Sequence, residues 1–222
     1  MKKLLRGIVE FRKNVRPDYR ETFAHLALGQ SPDTLFIACS DSRVVPNIFA
    51  SADPGDLFVI RNVGNLIPPA GRDGVSGSDE SEAAAVEFAL QKLGVSDIIV
   101  CGHSECGAMQ ALLTGREKVD PVHLSSWLRH GDAALSDLKK TTKINSKLEP
   151  HNRLSQLNVL SQIENLKTYP IVEERLEKGK LRLHGWWFDL HHADVYAYEE
   201  EQDKFVLIDE AEAQRLLTRL DQ

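Results

Sequence analysis

Short apolar runs recur along the chain and indicate a buried parallel sheet. Thr34–Cys39, Asp56–Arg61 and Asp97–Cys101 are almost continuously apolar between their ends, as is typical of strands covered on both faces. Apolar residues at helical spacing predict helices between and after these runs, at 81–93, 107–113, 121–140 and 150–168. In the first of these helices, the residues expected to face inward are Ala84, Ala85, Phe88 and Leu93. Strands that alternate with helices predict an α/β fold with a mostly parallel central sheet flanked by helices.

The two ends of the chain add an arm and a hairpin. Helical spacing at the start predicts a first helix through Leu4, Ile8, Phe11 and Val15, and Pro17 can open a second that ends at Gly29. Leu181–Leu190 is interpreted as a further strand, and 194–208 as a hairpin at the sheet edge. No repeat or linker is visible, so we expect one domain over 1–222, with a helical arm at 1–30 and an α/β core at 31–222.

Composition indicates which partners and which cellular compartment to expect. A formal net charge of −6 predicts no broad electrostatic contact with nucleic acid. No apolar run approaches the ~18 residues of a membrane span, so no membrane association is expected. The three cysteines are too few and odd in number for a disulfide framework, which favours a reducing compartment and predicts a cytoplasmic protein.

Two short motifs at predicted strand ends carry the candidate chemistry. Cys39-Ser-Asp41-Ser-Arg43 follows the first strand, and His103-Ser-Glu-Cys106 follows the third. Two thiolates and one imidazole make three protein ligands, the number typical of a catalytic zinc that keeps a position open for water. The sequence therefore predicts a zinc enzyme that generates hydroxide, with Cys39, His103 and Cys106 as the metal ligands.

Spacing within the motifs suggests how the side chains meet. If the chain stays extended after Cys39, then Asp41 and Arg43 point to the same side and can form a bidentate pair. The i, i+3 spacing of His103 and Cys106 would bring these two together over one helical turn. We expect Asp41 to serve the zinc-bound water and Arg43 to hold Asp41 in place.

Several of these residues also have simpler interpretations. Cys39 alone is most simply a small buried residue, His103 alone a hydrogen-bonded loop histidine, and Cys101, inside a strand, a core residue. Gly102–Cys106 also resembles a nucleophile elbow with Ser104 as the nucleophile of a serine hydrolase, although Cys106 replaces the final glycine. A zinc deaminase would need a later P-C-x-x-C, and no cysteine follows Cys106. A non-enzymatic zinc protein, closed by Asp41 as fourth ligand, remains an alternative.

Nearly the whole chain resembles the β-class carbonic anhydrases, zinc enzymes that interconvert carbon dioxide and bicarbonate. The resemblance rests on the two motifs above and on further segments, namely Gly29–Pro32, Pro54–Asn65, Pro68-Pro69 and Leu183–Trp186. It implies zinc held by Cys39, His103 and Cys106, with hydration of carbon dioxide by zinc-bound hydroxide. Asp41 would accept a hydrogen bond from zinc-bound water, or ligate the metal in a closed state. Carbon disulfide, the substrate of some relatives, is the alternative substrate.

The resemblance also implies a substrate site and self-association. Gln30 matches a glutamine that reaches bicarbonate across a dimer interface, the Gly107 amide matches a substrate donor, and Phe58 and Val63 match an apolar pocket wall. Plain core packing remains the alternative for Phe58 and Val63. A homodimer or larger even assembly is expected, because the arm has no obvious cover within one chain.

Departures from the family pattern refine these expectations. Phe88 and Lys92 stand where some plant-like members carry a tyrosine and a histidine for proton transfer, which leaves the proton shuttle open. Phe36 and Phe188 replace the tryptophan and tyrosine of the bicarbonate-inhibited subgroup, so the plant-like (type I) subgroup is favoured. The segment 71–85 is longer and more acidic than the family's loop, so its conformation is not transferred.

Overall fold

One sheet organises the chain in the computed structural model, which describes residues 1–78, 80–138, 140 and 147–220. Over this part of the chain the sheet has six strands in the order β2-β1-β3-β4-β5-β6. The strands are β1 Thr34–Cys39, β2 Leu57–Asn62, β3 Asp97–His103, β4 Arg182–Asp189, β5 Asp194–Glu199 and β6 Lys204–Leu207. The first four run parallel and the last two form an antiparallel hairpin. The predicted α/β class, parallel sheet and edge hairpin are confirmed.

Helices surround this sheet. The α-helices of the described chain are α1 Lys2–Glu10, α2 Arg16–Leu26, α3 Pro46–Phe49, α4 Glu80–Phe88, α5 Gly107–Thr114, α6 Val122–Leu128, α7 Asp132–Leu138, α8 Pro150–Lys167, α9 Pro170–Glu177 and α10 Glu210–Leu220. The predicted helix at 121–140 is divided into α6 and α7 by a 3₁₀ turn, and its residue 139 lies outside the described chain. Sequence patterns did not predict α3, α9 or α10.

The N-terminal arm is one helical run rather than the two helices predicted. A π-helical turn, Phe11–Val15, joins α1 directly to α2. Pro17 does not break the run, because it lies in the first turn of α2, where a missing N–H is tolerated. No residue of α1 or α2 is buried. Leu26, at the end of α2, lies against Gly55, whereas the apolar side chains of α1 are exposed.

The face that α4 presents to the core differs from the prediction. Of the four residues expected to point inward, Ala84 and Phe88 are exposed, whereas Ala85 is half-buried and Leu93 packs against the core. Val86, Ala89 and Leu90 are buried instead. Glu82, Val86, Ala89 and Leu90 recur at spacings of three and four residues, so they form the inner face of a regular helix, and the predicted face is rotated away from it. A second π-helical turn, Ala89–Leu93, continues α4.

Both faces of the central strands are buried. Leu35 and Ile37 of β1 pack into one apolar cluster, and the alternate residues Phe36 and Ala38 pack into another. Cys101 of β3 is fully buried in the second cluster, and this burial raises the pKa of its thiol, so the core assignment is confirmed. None of the helices in the described ranges is long and apolar enough to cross a membrane.

Candidate metal centre

The three predicted ligands meet at the carboxyl edge of the sheet. Cys39 ends β1, His103 ends the neighbouring parallel strand β3, and Cys106 lies directly before α5. One ligand atom from each residue lies within 4.8 Å of the other two. The three residues are 5%, 0% and 1% exposed, respectively. The structure thus gathers two sulfur atoms and one imidazole nitrogen into one buried cluster.

A tight turn, not a helical turn, brings His103 and Cys106 together. Ser104 and Glu105 form the turn between β3 and α5, and Glu105 has a φ of 55°, in the left-handed region that non-glycine residues seldom adopt. The expectation of a helical turn was therefore wrong. The left-handed residue reverses the chain so that Cys106 returns toward the end of β3.

Hydrogen bonding leaves His103 with one free ring nitrogen. Its Nδ1 lies 2.8 Å from the carbonyl oxygen of Ser104. A carbonyl only accepts, so Nδ1 is assigned the proton and Nε2 a lone pair. The buried Nε2 has no hydrogen-bond partner among the described residues. A buried acceptor without a partner is costly, and a metal ion would satisfy it.

The two sulfur atoms also suit a metal. The Cys106 side chain hydrogen-bonds to Cys39, and this contact is the main reason that the pKa of the Cys39 thiol falls to about 4. The Gly64 N–H, 3.3 Å from the Cys39 sulfur, also lowers the pKa of Cys39. The same contact raises the pKa of Cys106, because two adjacent thiols share one proton. The donor set of two sulfurs and an imidazole fits zinc.

Asp41 and Arg43 form the predicted bidentate pair. Arg43 donates from Nε and Nη2 to the two Asp41 oxygens at 2.9 and 2.7 Å. This side-chain contact is the largest cause that holds the pKa of Asp41 well below its ordinary value. The chain does not stay extended as expected, since Val44 N–H closes a turn onto the Asp41 carbonyl and Arg43 N–H donates to the Asp41 carboxylate. Asp41 is thus held by Arg43, apart from the three-ligand cluster.

Two arginines tie the ligand segments together, and one of them was not predicted. Arg61 donates to the carbonyl oxygens of Cys39 and Asp41 at 3.0 and 2.6 Å. Arg43 also reaches the Glu105 carbonyl at 3.1 Å, which links the first motif to the second. Arg61 ends an otherwise apolar run, so its charge at a strand end was the available signal.

The residues assigned to substrate by resemblance are spread more widely. Gly107 begins α5 next to Cys106, and the space where a side chain would stand is open. Val63 is 44% exposed and lies beside Gly64. Phe58 of β2 pairs with Leu35 of β1, which comes four residues before Cys39 in the same strand. Phe58 also packs against the core. Gln30 is exposed in the loop before β1. Of these four residues, Gly107 directly follows the cluster residue Cys106, and Val63 directly precedes Gly64, whose N–H lies 3.3 Å from the Cys39 sulfur.

Three phenylalanines that depart from the family pattern, Phe36, Phe88 and Phe188, each contact another aromatic ring. Phe88 is 44% exposed and stacks on Phe58, with ring centroids 5.7 Å apart. Phe36 and Phe188 both pack against Phe49, at 6.0 and 4.6 Å between ring centroids. The latter two rings fill a hydrophobic cluster and bring no polar edge to it.

The environment of Ser104 disfavours a nucleophile elbow. Ser104 is 4% exposed. Its hydroxyl donates to Asp189 at 3.1 Å and accepts from the Leu190 N–H at 2.8 Å. A serine nucleophile needs an adjacent general base, usually histidine, and the hydroxyl here is bound to a carboxylate. Ser104 therefore joins the end of β3 to the end of β4.

Comparison with known proteins agrees with this geometry. The sequence profile of the family described as carbonic anhydrase matches residues 34–195. A carbonic anhydrase from Synechocystis sp. is 41% identical over 213 residues, which cover 93% of this chain and 74% of that protein. Another, from Pseudomonas aeruginosa, is 39% identical over 210 residues, covering 95% and 93% of the two chains.

Solved structures place the fold in the β class. The β-carbonic anhydrase CcaA has a TM-score of 0.84 at 40% identity, covering 93% of this chain and 98% of that one. A tetrameric β-carbonic anhydrase from Sordaria macrospora has a TM-score of 0.71 at 29% identity, with coverage of 88% and 95%. The chain belongs to the carbonic anhydrase family. Within that family it is a β-class enzyme, as the resemblance implied.

Proposed function

We propose that this enzyme reversibly hydrates carbon dioxide to bicarbonate and a proton, using one zinc ion held by Cys39, His103 and Cys106. The observation that carries the proposal is the buried cluster of three ligand atoms within 4.8 Å, in which His103 Nε2 has no other partner among the described residues. Zinc, when bound, acts as a Lewis acid that lowers the pKa of a coordinated water and so supplies hydroxide near neutral pH.

Asp41 and Arg43 are proposed to orient the attacking water and to keep a metal position open for it. Asp41 Oδ1 accepts two hydrogen bonds from Arg43, whereas Oδ2 accepts one and keeps a lone pair. Through Oδ2, Asp41 orients the attacking water by accepting a hydrogen bond from it. Arg43 keeps Asp41 from becoming a fourth metal ligand. A site closed by Asp41, as in a structural zinc protein, is not supported, because both carboxylate oxygens are bound by Arg43.

Substrate contacts follow from the start of α5 and from the apolar residues nearby. The N-terminus of a helix favours an anion, so the Gly107 amide is proposed to bind an oxygen of bicarbonate. Val63 is proposed as part of the wall that holds carbon dioxide. Phe58 and Gln30 lie away from their own chain's cluster, and their proposed roles depend on a second copy.

Metal content and activity test this function together. The parent chain is expected to hold about one zinc per chain and to hydrate carbon dioxide well above the buffer rate. Removal of zinc with a chelator should abolish the activity, and added zinc should restore it. Stopped-flow hydration and elemental analysis provide the two measurements, with carbon disulfide as the alternative substrate. A fully zinc-loaded chain that leaves carbon dioxide at the buffer rate would contradict the proposal.

Self-association is proposed from the uncovered arm. Leu4, Leu5, Ile8 and Val9 are each at least 53% exposed, and they lie on one side of α1. Burying apolar area is the main driving force of association, and a second copy of the chain offers a matching arm. The tetrameric Sordaria relative supports a dimer or larger even assembly.

A charge on the apolar side of the arm should break this assembly. Ile8→Glu is expected to shift the chain to monomer, and activity should fall as Gln30 and Phe58 lose the neighbouring site. Arg6→Glu, on the opposite side of the same helix, is the control and should leave the assembly intact. Sedimentation velocity at micromolar concentration reports the outcome. A parent chain that is a fully active monomer would refute the proposal.

Subgroup and compartment are proposed on narrower grounds. The type I, plant-like subgroup is supported by the apolar surroundings of Phe36 and Phe188, and bicarbonate should therefore not inhibit cooperatively. A cytoplasmic location is supported by three free cysteines, two of them needed as thiolates.

A further inference from the structure

One face of α8 is polar and nevertheless buried. Its residues recur at helical spacing and form what we call the polar stripe: Asn152, Ser155, Asn158, Gln162 and Asn165. The first four are at most 8% exposed. Buried polar side chains are costly unless their hydrogen bonds are satisfied, so their partners indicate why the stripe is there.

The first part of the stripe binds the turn between His103 and Cys106. Ser155 donates to the His103 carbonyl at 2.8 Å. Asn152 accepts from the Glu105 N–H at 2.8 Å and donates to the Glu105 carboxylate at 3.1 Å. Glu105 is the residue with the left-handed backbone. These contacts hold the strained turn that sets the distance between the two ligands.

The middle of the stripe acts on the other ligand segment. Asn158 donates to the Gly64 carbonyl at 3.0 Å, and the Gly64 N–H in turn points at the Cys39 sulfur at 3.3 Å. Gly64 has a φ of 84°, and an added Cβ would lie 2.9 Å from the Ala108 side chain. Its position is therefore set by its neighbours. Gln162 donates to the Asn158 side-chain oxygen at 3.0 Å and so fixes the orientation of the Asn158 amide.

Two glycines let α8 come close enough for these contacts. A Cβ added at Gly102 of β3 would lie 2.8 Å from Val159, and one at Gly185 of β4 would lie 3.0 Å from the same side chain. Any larger residue at either position would push α8 away from the sheet. The short serine hydroxyl of Ser155 could then no longer reach the end of β3.

From these contacts we infer that the polar stripe positions the metal centre, and that Asn158 is a positioning residue that acts through Gly64 on the Cys39 thiolate. This inference rests on the proposed function. An N–H donor to a ligand sulfur draws charge from it, and partners one step beyond the ligands change metal affinity by about 10- to 100-fold. Asn158 would thus tune a sulfur ligand that it does not touch.

Cobalt substitution tests this role without relying on activity. Asn158→Leu keeps the number of side-chain atoms but removes the donor to Gly64. We expect it to weaken Co²⁺ binding by about tenfold and to shift the sulfur-to-cobalt charge-transfer band to lower energy. Asn47→Leu is the control, because it makes the same atomic change outside the stripe and removes a side-chain donor to the Ala52 carbonyl. Its affinity and band should match those of the parent.

The outcomes separate the inference from the proposed function. A parent chain that binds no cobalt would overturn both. A parent and an Asn158→Leu variant with the same affinity and the same band would overturn the positioning role alone. If Asn158→Leu does not fold, Ser155→Ala replaces it, with Ser161→Ala, on the same helix, as control. Faster cobalt release to a chelator from Ser155→Ala than from Ser161→Ala supports the role of the stripe, and equal rates refute it.

Discussion

Replacing Cys106 with serine should remove both the metal and the activity. A serine hydroxyl does not ionise near neutral pH, so the site would keep only Cys39 and His103. Structural zinc sites bind with about 10–16 kcal/mol in total, and the loss of one of three protein ligands should weaken binding by more than about a hundredfold. Zinc content after dialysis and the rate of carbon dioxide hydration measure the effect.

The third cysteine provides a matched control. Cys101→Ser makes the same atomic change at a buried thiol inside β3. It should lower thermal stability, because it buries a hydroxyl in an apolar cluster, and it should leave zinc content at about one per chain. Full zinc occupancy in Cys106→Ser would show that the ligand set is wrong.

The second large effect is expected at Arg43, where activity and metal content should separate. Arg43→Ala removes both hydrogen bonds that bind the Asp41 carboxylate. The freed carboxylate can then bind zinc as a fourth ligand and exclude water. We expect hydration to fall by about 10- to 100-fold while zinc stays bound. A structure of the variant and its hydration rate decide the matter.

Two further arginine variants sharpen this test. Arg43→Lys keeps the cation but not the two parallel bonds, so its activity should be intermediate. Arg116 forms a similar pair with Asp132 at an exposed position, and Arg116→Ala should leave activity unchanged. Parent-like activity in Arg43→Ala, with water still on the metal, would mean that Arg43 does not control the site.

Strand positions were predictable from the sequence because burial on both faces leaves a continuous apolar run. Thr34–Cys39 coincides with β1, and Asp97–Cys101 lies within β3. The ligands were predictable for a related reason. Parallel strands end at the same edge of a sheet, so motifs that follow neighbouring strands come together in space.

Local backbone geometry was not predictable in the same way. Apolar residues lie on more than one side of α4, so their pattern did not identify the buried face, which carries Val86 and Leu90 rather than Ala84 and Phe88. The left-handed Glu105 and the turn after Asp41 depend on tertiary hydrogen bonds. A stretch of asparagine, serine and glutamine at helical spacing normally indicates a solvated face, and only the structure identifies it on α8 as the buried polar stripe.

The polar stripe comes after the ligands in the sequence, and this order matters while the chain is being synthesised. All three ligands have been translated by residue 106, whereas α8 begins at Pro150. The bond from Asn158 to Gly64 spans 94 positions, and the bond from Ser155 to His103 spans 52. Contacts this distant in sequence form late and slow the folding rate. A nascent chain that ends before α8 carries all three proposed ligands but lacks these contacts, so we expect stable metal binding only after this helix has docked.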